Sequence, residues 1–193
     1  MNDIQIRLNF HEKKLRWQHA DETTLVIDEL GLNHGRCRAD IAVVNGHLIG
    51  YEIKSDSDTL NRLEEQVKSY NAVFDKAFVI VGQRYAEVIM EHIPEWWGII
   101  LSEKGSRGAI HFTGLRKAAR NDGINPIFLA RLLWRDEVAE VLRERGLPPR
   151  CLRQPRARLY EYLVSILDLQ ELRRIVRDRL KMRKNWRYPE SPS

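Results

Sequence analysis

At 193 residues, with 43% hydrophobic and 31% charged, the chain can build the core of one domain plus an appendage, but not two full domains. It has no apolar run approaching the ~18 residues of a membrane span, and its N-terminus, MNDIQIRLNFHEKK, carries Asp3 and no apolar block, so it is not read as a secretory signal. Cys37 and Cys151 lie far apart without CxxC spacing, which argues against a disulfide scaffold or a zinc site and suits a reducing cytoplasm. The net charge of +5 is uneven: residues 114–193 hold 19 Lys and Arg against 10 Asp and Glu, so the C-terminal part is the one that suggests an anionic partner.

In chain order, residues 3–20 read as a helix on Ile4, Leu8, His11 and Leu15. Thr24–Leu30 reads as a strand with Leu25, Ile27 and Glu29 on one face, followed by a loop over GLNHGR (31–36). Cys37–Ser55 is a hairpin turning at Asn45-Gly46. A two-residue loop would set Asp40 opposite Tyr51, with Glu52 and Lys54 on the other face. A three-residue loop over 44–46, with Gly46 left-handed as a bulge, pairs Asp40 with Gly50 and brings Asp40, Glu52 and Lys54 to one face; this bulged loop is the expectation. Ser57–Phe74 reads as a helix on Leu60, Leu63, Val67, Tyr70 and Phe74, capped by Asp56, Ser57 or Asp58. Ala77–Val81 is a strand buried on both faces, 84–93 a short helix, Trp97–Leu101 a strand and Ala109–Thr113 an edge strand.

A boundary near 114–125 separates a core over 1–115 from a basic helical extension over 124–187. Asn125-Pro126 starts a helix to about Arg145, with Ile127, Ala130, Leu133, Trp134, Val138 and Leu142 inward. A Pro- and Arg-rich linker spans 147–156. Helices over 157–167 and 169–183 follow, the second with an Asp168/Glu171 capping box and with Arg173, Arg174, Arg177, Lys181 and Lys184 mostly outward. Residues YPESPS form a frayed tail. The fold class is α/β, a mixed sheet between helices, with an all-helical C-terminal extension.

Asp40, Glu52 and Lys54 stand out because charged groups on apolar strands are costly unless exposed or paired. They are either a buried ion-pair cluster, with Lys54 against Asp40 or Glu52, or a metal-and-phosphate site. In the second reading the two carboxylates and the Ile53 carbonyl hold Mg²⁺ or Mn²⁺, and Lys54 positions the attacking water. Gln66 and Tyr70, four apart, share one side of the next helix. Arg36 and Arg38 flank Asp40 and can clamp phosphate or pair with Glu29 or Asp28. The histidines show no metal-binding spacing and read as structural or surface residues, and Trp96-Trp97 reads as packing.

Asp40 followed by Glu52-x-Lys54 across a hairpin and a helix resembles the PD-(D/E)xK phosphodiesterase superfamily. Gln66-x-x-x-Tyr70 is similar to the QxxxY motif of its RecB-like branch, and the element order over about 3–113 fits its restriction-endonuclease-like core. The chain also resembles bacterial proteins sharing the hairpin, the IPEWWG stretch (93–98) and a basic helical C-terminus. Ala39 replaces the motif's Pro, and the superfamily's additional acid is taken as Glu29, with Glu12 as runner-up. The resemblance implies a Mg²⁺-dependent nuclease with Asp40, Glu52, Lys54, Glu29, Gln66 and Tyr70 at its site. Nucleic acid, DNA favoured, is the expected partner, gripped by Arg36, Arg38, Arg173, Arg174, Arg177 and Lys181. The alternative is a non-catalytic nucleic-acid-binding module, its last two helices acting as a helix-turn-helix, or an interaction protein on the same scaffold. The sequence leaves the oligomeric state open, a dimer included.

Overall fold

The computed structural model describes residues 1–183; Lys184 and the YPESPS tail, and so the end of the 124–187 extension, lie outside the described residues. A six-stranded mixed sheet runs in the order β1 (Leu25–Leu32), β2 (Cys37–Val44), β3 (Leu48–Lys54), β4 (Lys76–Val81), β5 (Gly98–Lys104), β6 (Ile110–Arg116). The β3–β4 and β4–β5 pairs are parallel and the others antiparallel. One face is covered by α1 (Asp3–Lys13), whose Ile6 and Phe10 pack on Tyr51, Ile53, Ile80 and Phe112. The other carries α3 (Leu63–Asn71), and its core continues without a break into α4 (Pro126–Ala130), α5 (Arg135–Glu144), α7 (Arg156–Ile166) and α8 (Leu169–Met182). This is the expected α/β mixed sheet between helices with a helical C-terminal part. Among the described residues no helix is long and apolar enough to cross a membrane.

Several elements differ from expectation. The helix over 3–20 is two, α1 and α2 (Arg16–Ala20), and its inward face is Ile6 and Phe10, leaving Ile4 66% exposed. Phe10 decides the orientation, because its ring meets both Tyr51 and Phe112 at about 5 Å. The Ser57–Phe74 helix starts only at Leu63, since the Asp58 carboxylate instead accepts the Ser55 N–H and hydroxyl, both at 2.7 Å, in a turn. The stretch 84–93 forms two short 3-10 turns, Gln83–Tyr85 and Val88–Glu91. The long helix from Pro126 breaks into α4 and α5. Trp134 at the break is exposed, its ring beneath the Arg183 guanidinium at 4.2 Å. The 147–156 linker contains a short α6 (Pro149–Leu152). Asp168 caps α8 by accepting the Glu171 N–H at 2.8 Å, while the Glu171 carboxylate turns to Arg145 rather than closing a capping box.

The hairpin loop is Asn45–Gly46–His47, one residue later than predicted. Asn45 Oδ1 accepts the His47 N–H (2.9 Å), an Asx turn that leaves Gly46 outside the left-handed region. Val44 therefore pairs with Leu48, and the register carried forward sets Asp40 across from Glu52 instead of Gly50.

Candidate functional site

Glu52 lies on the α3 side of β3 and is 1% exposed. Phe74, just beyond α3, packs so closely on Gly50 that a Cβ there would sit 2.7 Å from its ring. That approach brings Tyr70 and Gln66 over Glu52. Lys54 Nζ donates to Glu52 Oε1 at 2.8 Å, Gln66 Nε2 donates to the same oxygen, and the Tyr70 hydroxyl donates to Oε2 at 2.8 Å. Burial raises the Glu52 pKa, opposed chiefly by Lys54, and burial with the Glu52 charge pushes Tyr70 well above the ordinary phenol value. A buried carboxylate is tolerable when a cation and further donors satisfy both oxygens, and here they do.

Asp40 has different partners. Ala39 and Ala42 belong to the α3-side core but Ile41 and Val43 to the α1-side core, so the alternation of β2 slips at Asp40. The opposite position on β1 is Glu29, at a left-handed φ of 55°. Asp40 Oδ2 accepts the Ile53 N–H at 2.7 Å, and Oδ1 accepts Arg7 Nη2 of α1 at 3.2 Å. Arg7 also holds Asp3 (3.2 Å) and Glu29 (2.5 Å), and Arg38 stands 3.8 Å from Glu29. Burial and then the Glu52 charge push the Asp40 pKa up to about 8, against the Ile53 N–H and Arg7.

The structure thus gathers Glu52, Lys54, Gln66 and Tyr70 into one group, and Asp40, Glu29 and Arg7 into its neighbour. Glu12 is exposed on α1. As arranged, the residues do not fit Mg²⁺ or Mn²⁺, which need carboxylate oxygens open to the ion. Asp40 and Glu52 are engaged by protein donors, and Ile53 meets Asp40 through its N–H. Among the described residues no group of three or more His, Cys, Asp or Glu could hold a metal ion.

The expected phosphate-gripping residues divide sharply. Arg173 is buried, with Nε 3.1 Å from Asp75, and Arg177 reaches the same carboxylate at 4.0 Å. Arg174 is exposed but flanked by Glu171 and Asp178, and Lys181 donates to the Asn45 carbonyl at 3.4 Å. Arg36 and Arg38 are exposed and, with Arg62, rim a cavity of about 380 Å³ floored by Asp40 and Gln66. Sequence reasoning missed Arg7, whose only local signal was Asp3 four residues earlier on the same helix. It also missed the hydrogen-bonded run from Asp28 through His11 to His19, with both links at 2.9 Å.

What the geometry defines is a mixed α/β protein whose central acids are internally neutralised and whose surface arginines are partly free. The family model described as Bacteriophage P4 protein cII matches residues 2–188, and the chain belongs to that family. Protein cII of Enterobacteria phage P4 is 25% identical over 158 residues, covering 82% of this chain and 59% of that protein. The chain therefore spans about three fifths of the length of this curated relative. No solved structure matches it. These findings correct the sequence reading. The chain is a member of the P4 cII family rather than of the PD-(D/E)xK superfamily, and its assignment as a Mg²⁺-dependent nuclease, and hence as a hydrolase, falls with that resemblance.

Proposed function

We propose that this protein binds nucleic acid, DNA favoured, through its surface arginines, and acts as a binding protein rather than an enzyme. The observation that carries the reading is the uneven neutralisation of its arginines. Those of α8 face acids at Asp75, Glu171, Asp178 and Glu140. Arg36, Arg62, Arg150 and Arg153, all exposed, form no ion pair among the described residues. Cations without local counter-charges are the ones free to neutralise phosphates and so release the counterions condensed on the nucleic acid. A cytoplasmic setting fits the reading, since both cysteines are free thiols. The test is fluorescence anisotropy with labelled duplex DNA, single-stranded DNA and duplex RNA over a range of salt. Binding that weakens log-linearly with salt, tightest for duplex DNA, is expected; no binding to any of the three at low salt overturns the proposal.

A further inference from the structure

The turn joining β1 to β2 holds two of the three non-glycine residues with left-handed φ among the described residues. Asn33, His34 and Gly35 all have left-handed φ values of 46°, 61° and 83°. Glycine takes this region freely, while other residues do so uncommonly and persist there where surrounding contacts hold them. Two contacts from the helical part hold them here. Arg131 Nη1, beyond the end of α4, donates to Asn33 Oδ1 at 2.7 Å, and the Tyr160 ring of α7 stacks on His34 with centroids 5.7 Å apart. Tyr160 is itself fixed by its hydroxyl on the Leu133 carbonyl at 2.9 Å.

Three guanidinium groups converge on this turn. Arg36 follows it directly, Arg131 pins it, and Arg156 opens α7 one turn before Tyr160. Partial burial, then Arg156, Arg131 and Arg36 in that order, hold the His34 imidazole below its ordinary pKa, so all three cations act on one ring. None of the three forms an ion pair among the described residues. Three like charges gathered on this turn repel one another, and no acid among the described residues forms an ion pair with any of them.

We propose that the junction between the Asn33–Gly35 turn and the start of α7, bounded by Arg36, Arg131 and Arg156, is a subsite for a phosphodiester group of the nucleic-acid backbone. The subsite rests on the nucleic-acid reading given above and deepens it. Arginine suits the role because its planar fork donates two parallel hydrogen bonds to phosphate oxygens. Arg131 commits Nη1 to Asn33 and lays its guanidinium over the Phe128 ring at 4.8 Å, while its Nη2 has no hydrogen-bond partner among the described residues.

The variants are Arg36→Ala and Arg156→Ala, both at exposed positions, and Arg131→Lys, which keeps the charge and removes the fork; Arg135→Ala, on α5, removes an exposed charge that Asp136 already faces at 3.6 Å. Duplex-DNA affinity is expected to fall about tenfold in each of the first three and to stay within about twofold of wild type in Arg135→Ala. Wild-type binding with all four variants alike overturns the subsite and leaves the nucleic-acid reading standing. If wild type binds no nucleic acid, that reading fails, and the subsite is judged by titrating inorganic phosphate while following the His34 ring resonances by NMR. A saturable shift that Arg156→Ala abolishes supports a site for free phosphate, and no shift overturns the subsite as well.

Discussion

The group around Glu52 and the turn around His34 are both clusters of charge, and they are built in opposite ways. At Glu52 every carboxylate oxygen has a donor, the cation Lys54 is 2.8 Å away, and water is excluded. At His34 three cations that form no ion pair among the described residues gather near the surface, on backbone of left-handed φ. The first cluster is complete within the chain; the second, on the proposal made above, is completed by a phosphate from outside. Residue type alone points to the first as the site of chemistry. Accounting for each charge's partners moves attention to the second.

The largest effect expected from breaking this contrast is at Lys54. Lys54→Ala strands a buried carboxylate and is expected to lower stability by about 3–5 kcal/mol, measured by urea unfolding. Arg36→Ala, by the same measurement, should stay within about 0.5 kcal/mol of wild type. Equal losses would erase the distinction between the two clusters.

A second contrast concerns pH. The folded-state pKa of Asp40, pushed up to about 8, lies above the ordinary 3.8 of an unfolded aspartate. Between those values the folded state holds a proton that the unfolded state has released. Asp40 therefore contributes most at low pH, and its contribution declines as pH rises from about 4 to about 8. Asp40→Asn should remove that downward slope in the unfolding free energy; an unchanged slope would assign it to other groups.

Much of the fold was legible because its signals were local. Asn45-Gly46 marked the hairpin, and the unbroken apolar run before Val81 marked a buried parallel strand. The contacts of Glu52 with Lys54, Gln66 and Tyr70 follow from spacing on β3 and α3, so the cluster itself was readable. The purpose attached to it came from a resemblance that the family comparison replaces. What stayed hidden depended on distant partners. Asp75, which makes Arg173 structural, lies almost a hundred residues upstream, and Arg7 on α1 claims Asp40 through a slip in strand alternation that no local pattern announces. The α1 face was misread because Ile4 and Leu8 have helical spacing too, and only the sheet's aromatic surface selects Ile6 and Phe10.

Smaller effects sharpen the same picture. Gly50→Ala forces a Cβ against Phe74 and should lower the thermal midpoint by an amount corresponding to about 1–3 kcal/mol. A variant as stable as wild type would show that the tight seat of α3 on β3 is not needed. Arg16→Ala, at an exposed position without an ion pair among the described residues, should change stability by no more than about 0.5 kcal/mol; a larger loss in the same unfolding assay would show that exposed, unpaired arginines also carry the fold.

The central claim, that the arginines left unneutralised are the ones that meet nucleic acid, is tested most directly by the salt dependence of duplex-DNA binding. Wild type is to be compared with the double variant Arg36→Ala/Arg156→Ala. The account predicts that the slope of log affinity against log salt becomes shallower by about two in the double variant. A slope identical to that of wild type would contradict it.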